Sequence, residues 1–175
     1  DAPTVTGIHY SGDHGLQVDV SGTTPAFVEY ANPEPESHYV LRFYVRNTQL
    51  QMAGGNAFVL FAGYASSDCS GSSQLEIELM RSGEDFLLRV GARENGGGIV
   101  RTATDGATLA TGWRAIEVDW AAAAEDAQDG AVRAHIDGEE VSGLDGLDND
   151  VARIACVRWG AVAGIDPGTS GTLHL

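Results

Sequence analysis

Apolar and polar residues take turns along most of this chain. In residues 113–120, Ile116, Val118 and Trp120 alternate with Ala115, Glu117 and Asp119. In residues 130–137, Val132, Ala134 and Ile136 alternate with Arg133, His135 and Asp137. A strand with one face on a core and the other in water has this period of two. The two runs are expected to pair antiparallel near the middle of a sheet.

Similar runs recur at 16–20, 26–30, 74–81, 85–93, 99–103, 152–162 and 172–175. In 38–46, Tyr39, Leu41, Phe43 and Val45 form one face, and Arg42, Tyr44 and Arg46 the other. Residues 57–64 are almost continuously apolar, which predicts a strand covered on both sides. The Asn32-Pro-Glu-Pro-Glu36 run is excluded from any central strand, because proline has no N–H for the ladder. Residues 121–128 favour helix by composition but offer about two turns, too few to stand alone, and read as a loop. No repeat, linker or change of composition divides the chain. The pattern predicts one all-β domain over residues 1–175, a two-sheet antiparallel β-sandwich of jelly-roll type.

Charge narrows the partners. The chain has 25 acidic residues against 10 arginines and no lysine, for a formal charge of −15. Such a field repels a phosphate backbone, so nucleic acid is not an expected partner. No apolar run reaches the ~20 residues of a membrane-spanning helix, so membrane insertion is not expected either. The Asp1-Ala-Pro-Thr start reads as that of a processed chain, which predicts a secreted or cell-surface location. Cys69 lies in a Ser/Gly-rich stretch and Cys156 in an apolar strand. One disulfide between them, worth about 4 kcal/mol, and two separate thiols with Cys156 packed as a small hydrophobe are both open. No paired Cys or His motif suggests zinc.

The order of elements in the second half carries a resemblance. Trp113 to Trp120, the Gly130-x-Val-x-Ala-x-Ile-Asp137-Gly138 run, Val157-Arg-Trp-Gly-Ala-Val162 and the Gly164-Ile-Asp-Pro-Gly-Thr-Ser-Gly171-Thr turn are similar to the laminin-G-like branch of the concanavalin-A-like lectin/glucanase superfamily. The closing strand of that group usually runs further than Leu175, so part of it is expected to be missing here. The resemblance implies a glycan-binding sheet face.

Alternation supplies candidates for that face: Arg42, Tyr44, Glu76, Glu78, Arg89, Glu117, Arg133 and His135, with Arg158 or Trp159 added according to the phase of their strand. Tyr44 is the expected sugar platform. A cross-strand ladder of ion pairs is the competing explanation for the same residues. Glu76 and Glu78 resemble the catalytic strand of laminarinase-type glycosidases, but Met80 and Arg81 stand where a further acid is needed. In the loop expected at 145–150, Asp145, Asp148, Asn149 and Asp150 are hard oxygen donors at short spacing, candidate ligands for Ca²⁺. Asp68, Asp105 and Asp166 could add donors, and a self-capped Asp/Asn turn is the competing explanation. The combined expectation is a non-catalytic extracellular module binding a carbohydrate or cell-surface polymer. A structural subunit that packs on protein in a surface assembly comes second, and a polysaccharide-degrading enzyme third.

Overall fold

The computed structural model describes residues 2–47, 49–102 and 108–175. They form β1 (Thr4–Thr6), β2 (Gly15–Ser21), β3 (Ala26–Glu36), β4 (His38–Val45), β5 (Ala57–Tyr64), β6 (Ser73–Ser82) and β7 (Asp85–Arg93). After these come β8 (Ile99–Arg101), β9 (Thr108–Leu109), β10 (Arg114–Ala121), β11 (Gly130–Ile136), β12 (Glu139–Leu147), β13 (Ile154–Ala163) and β14 (Ser170–His174). One layer is a seven-stranded sheet in the order β3-β13-β5-β6-β7-β8, with β9 also on β7. The other runs β12-β11-β10-β4 and is prolonged by β14-β2-β1 through an antiparallel bridge between Arg46 and His174.

The two layers meet in one apolar core. Ile116, Val118 and Trp120 of β10 pack in the same cluster as Leu60 of β5, Leu75, Ile77 and Leu79 of β6, and Leu88 and Val90 of β7. Period-two alternation places these residues on inner faces, and their burial is the dominant stabilising term. The β10–β11 pair sits inside its sheet with Ile116 opposite Ile136 and Trp120 opposite Val132, as the alternation predicts. The result is an antiparallel jelly-roll β-sandwich.

β5 is buried along nearly its whole length, and its two sides are covered differently. Phe58 and Leu60 enter the main core, whereas Val59, Ala62 and Tyr64 join a second cluster with Phe27, Val162, Cys69 and Cys156. A Cys69–Cys156 disulfide fastens the connection between β5 and β6 over that outer side. This settles the open question about the two cysteines and explains the unbroken apolar run.

Two boundaries differ from expectation. β3 continues to Glu36 through Pro33 and Pro35, which the sheet tolerates because β3 is an edge strand. The ladder shifts register between Ile154 and Cys156, and the Asn32 Nδ2 donates to the Ile154 carbonyl at 3.0 Å. β12 extends through Leu147, so Asp145 lies in a strand and not in the expected loop. The strand expected at 99–103 is described to Arg101, and Ala103 lies outside the described residues.

Candidate functional site

The residues expected to share one face lie on two. Glu76, Glu78 and Arg89 stand on the outer side of the seven-stranded sheet, on β6 and β7. Arg42, Tyr44, Glu117, Arg133 and His135 belong to β4, β10 and β11, on the outer side of the other layer. The core separates the groups, so they make no common docking surface. Alternation tells which side of a strand is wet, but a sandwich has two wet sides.

On the seven-stranded sheet the charges form a network. Glu76 is opposite Gly91, and Gly91 opposite Arg101. With no side chain at Gly91, Arg101 crosses the intervening strand. Its Nη2 donates to Glu76 Oε2 at 2.5 Å and its Nε to Glu78 Oε1 at 3.1 Å. Arg89 Nε donates to Glu78 Oε2 at 2.6 Å, and Ser73 Oγ to Glu76 Oε1 at 2.5 Å. All four carboxylate oxygens therefore accept from guanidinium or hydroxyl groups. This is the cross-strand ion-pair ladder that competed with a glycan-binding face, and it leaves Glu76 and Glu78 without the separate acid and nucleophile roles of a retaining hydrolase.

Further along the same face, Arg158 of β13 sits between two rings. Its guanidinium carbon is 4.7 Å from the Phe27 centroid and 5.2 Å from that of Tyr64. Its Nε donates to Glu29 Oε2 at 2.8 Å. Burial is the largest influence on Arg158 and opposes its charge. The Glu29 carboxylate and the hydrogen-bonded Tyr64 oxygen outweigh it and lift the arginine above its ordinary value. Tyr64 itself is buried, against the disulfide. Trp159 has the opposite phase and packs on the core.

The other outer face is built differently. Tyr10 stacks on Tyr44 with centroids 3.9 Å apart and planes 11° from parallel, and Trp113 meets Tyr10 edge-on at 6.3 Å. The expected sugar platform is thus taken by another ring of the same chain. Arg133 pairs with Asp145 and, at 3.4 Å, with Glu140. Its pKa is raised chiefly by its hydrogen bond to Asp145, against the opposing effect of burial. Arg42 is opposite Glu117 in register, with its guanidinium 5.7 Å from the Tyr44 ring. The His135 Nδ1 is buried without a hydrogen-bond partner among the described residues.

The four expected calcium ligands do not come together. Asp145 is engaged by Arg133, and Asn149 is buried with its Oδ1 accepting the Ala123 N–H at 2.7 Å. Asp148 and Asp150 each accept from the Asn95 side-chain amide at 2.7 Å. The pKa of Asp150 is lowered first by the Asp126 N–H and then by Asn95. Asp68 accepts from Ser66 and from the Ser70 N–H, which holds its pKa at about 2, and Asp166 accepts the Gly168 N–H. These are self-capped turns. Asp105 lies outside the described residues. Among the described residues, the group of three possible ligand side chains that gathers is Glu29, Cys69 and Cys156, and the disulfide consumes both sulfurs. Of the four expected ligands, Asp148 and Asp150 meet at the Asn95 amide, while Asp145 and Asn149 are engaged by Arg133 and the Ala123 N–H.

Tyr64, Glu29 and Arg101 were not among the expected site residues. Tyr64 ends a run read as plain core, and Arg101 ends a three-residue strand. The one available signal was phase. Arg158 alternates with Val157 and Trp159, and Glu29 with Val28 and Tyr30.

No protein-family model and no curated protein matches the sequence. Solved structures do. An endo-β-1,4-glucuronan lyase from the fungus Trichoderma reesei superposes with a TM-score of 0.67 at 15% identity, over 98% of this chain and 84% of that one. The alginate lyase Aly36B, as a mutant in complex with alginate trisaccharide, gives 0.60 at 14% identity, over 93% and 80%. An alginate lyase from Aplysia kurodai gives 0.58 at 11% identity, over 98% and 84%. The shared feature is the jelly-roll β-sandwich, as expected from the strand pattern. These neighbours overturn the expected ranking, in which a non-catalytic recognition module came first and an enzyme last, because they are polysaccharide lyases. Among the described residues no helix is long and apolar enough to cross a membrane.

Proposed function

We propose that this chain is a polysaccharide lyase acting on an acidic, uronate-containing polymer, with Arg158 and Tyr64 at its centre. The observation that carries the reading is their meeting on an outer sheet face, in a fold shared with lyases of glucuronan and alginate. Lytic cleavage removes the proton α to a uronate carboxylate, forms a carbon–carbon double bond, and breaks the bond to the glycosidic oxygen, which takes up a proton. It needs a cation on the carboxylate, because a neutralised carboxylate acidifies the neighbouring C–H. It also needs a group that moves protons, a role open to tyrosine. Arg158 already holds one carboxylate, that of Glu29, and the substrate's would take its place. The Tyr64 oxygen is beside that guanidinium. Arg89 and Arg101 lie on the same face, each paired with glutamate and so balanced in charge, which leaves Arg158 as the group for the substrate carboxylate. The disulfide supports an oxidising, extracellular location.

The test follows the ultraviolet absorbance of the unsaturated uronate while the protein is incubated with glucuronan, alginate and a neutral β-glucan. Absorbance should rise with an acidic polymer and fall to background in Tyr64→Phe and Arg158→Gln, provided both variants melt as the parent does. Equal absorbance in the parent and a folded Tyr64→Phe would remove Tyr64 from the reaction.

A further inference from the structure

Arg158 belongs to a line of residues that crosses the seven-stranded sheet. The register sets Glu29 opposite Arg158, Arg158 opposite Ala62, Ala62 opposite Glu76, Glu76 opposite Gly91 and Gly91 opposite Arg101. Ala62 and Gly91 are the low points of this line, and charged groups stand beside them. The Glu29–Arg158 pair is built to exchange. Glu29 lies on an edge strand, and its side chain is 42% exposed against 25% for Arg158. When a substrate carboxylate takes its place, one negative group leaves the guanidinium as another arrives.

The rest of the line holds no second place of that kind. Glu76 stands two strands from Arg158, about 10 Å away at ~4.8 Å per strand. Arg101 and Ser73 hold Glu76, and Arg89 and Arg101 share Glu78, so two carboxylates balance two guanidinium groups. Each Glu76 oxygen has one donor and can accept another. A hydroxyl or an amide fits there, whereas a further carboxylate meets like charge. Arg93, the next residue of the same phase on β7, gives its Nε and Nη1 to the Ser73 and Gly97 carbonyls. To either side of the line at Arg158 lie buried Val59 and Val162, and Tyr64 with the disulfide. Residues 103–107, outside the described residues, contain Asp105 and no basic residue.

We propose that the substrate carries its carboxylates sparsely, each uronate being flanked by uncharged sugars, and that Glu76 is the residue that selects it. This rests on the lyase reading above and narrows its substrate. The uronate that undergoes elimination sits at Arg158, and a neighbouring sugar offers a hydroxyl or amide hydrogen to Glu76.

The test uses glucuronan in which a growing share of the carboxyl groups has been reduced to primary alcohols. The linkage is unchanged along this series, so carboxylate density alone varies. The assay runs at about 0.15 M salt, where fields beyond ~8 Å are screened and the net charge of the protein matters least. There kcat/KM per remaining uronate should rise at least about threefold along the series, as relief of one partly screened like-charge contact predicts. Glu76→Gln frees the charge of Arg101 while barely changing the net charge. If it melts as the parent does, its preference should turn toward the unreduced polymer. A rate per uronate that falls or stays level in the parent would overturn the sparse-carboxylate substrate and leave the lyase reading standing. The parent's preference retained in a folded Glu76→Gln would overturn the role of Glu76. No unsaturated uronate from any member of the series would overturn the lyase reading, and this inference with it.

Discussion

Gly91 and Arg101 are opposite residues on β7 and β8, and the side chain of one occupies the space the other lacks. A Cβ built at Gly91 would lie 3.0 Å from the Arg101 Cγ and 2.5 Å from the Ile99 Cγ2. The β6–β8 charge network depends on that gap. Gly91→Ala should push β8 outward and separate Arg101 from Glu76 and Glu78, at about 1–3 kcal/mol for overpacking. Urea unfolding of the two proteins measures it, and a midpoint equal to the parent's would refute the fit.

Reduction should act on a larger scale. The disulfide closes a segment of 87 residues, for which chain entropy assigns about 4–5 kcal/mol. It also holds the cover over Val59, Ala62 and Tyr64. Cys69→Ala/Cys156→Ala should lower the melting temperature clearly and raise exchange at 59–64 before other strands of the core. Unchanged exchange there would mean the cover stays without its link.

Acid stability has a named contributor. The Ala115 N–H and, after it, the Arg114 guanidinium hold the Asp137 carboxylate below its ordinary pKa. A depressed carboxylate stabilises the fold fully above the unfolded value of ~3.9, and this is lost as pH falls through the lower folded value. Asp137→Asn keeps a residue suited to the φ of 54° in the turn, and so isolates the charge. Melts should show the variant less stable near neutral pH, with the gap closing as pH falls below the ordinary aspartate range. Salt should narrow it too, because Asp137 is well exposed. A gap of constant size across that range would assign the effect to geometry.

Ionic strength offers a test at the level of function. The net charge of −15 repels a polyanion at long range, while the proposed contact of a substrate carboxylate with Arg158 is short-range. Moderate salt screens the first more than the second. Lyase activity on alginate should therefore rise between very low and about 0.1 M salt, through KM more than kcat. A steady fall from the lowest salt would mean that attraction dominates throughout.

The fold was legible because alternation is a local property: Ile116, Val118 and Trp120 must share a side wherever their strand goes. Layer membership is not local. Nothing near Glu76 or Glu117 says that β6 and β10 lie in different sheets, since that depends on which strands pair across long separations, so one expected face became two. Asp145 was misplaced because Gly143 and Gly146 suggest a loop, although β12 accommodates them with a shifted register. Tyr64 was hidden for the opposite reason. The loop pinned by Cys69 covers the outer side of β5, so a tyrosine beside Arg158 looks like one more apolar residue in a buried run.

The most direct measurement is the mass of the oligosaccharides released from glucuronan or alginate by the parent and by Tyr64→Phe. Elimination divides a chain without adding water, so the parent's fragments should sum to the mass of the polymer segment they came from and carry an unsaturated end. The Tyr64→Phe protein should release none. Fragments heavier by one water at each cleavage would make the reaction a hydrolysis, and intact polymer in every digest would contradict the assignment of lyase activity to this chain.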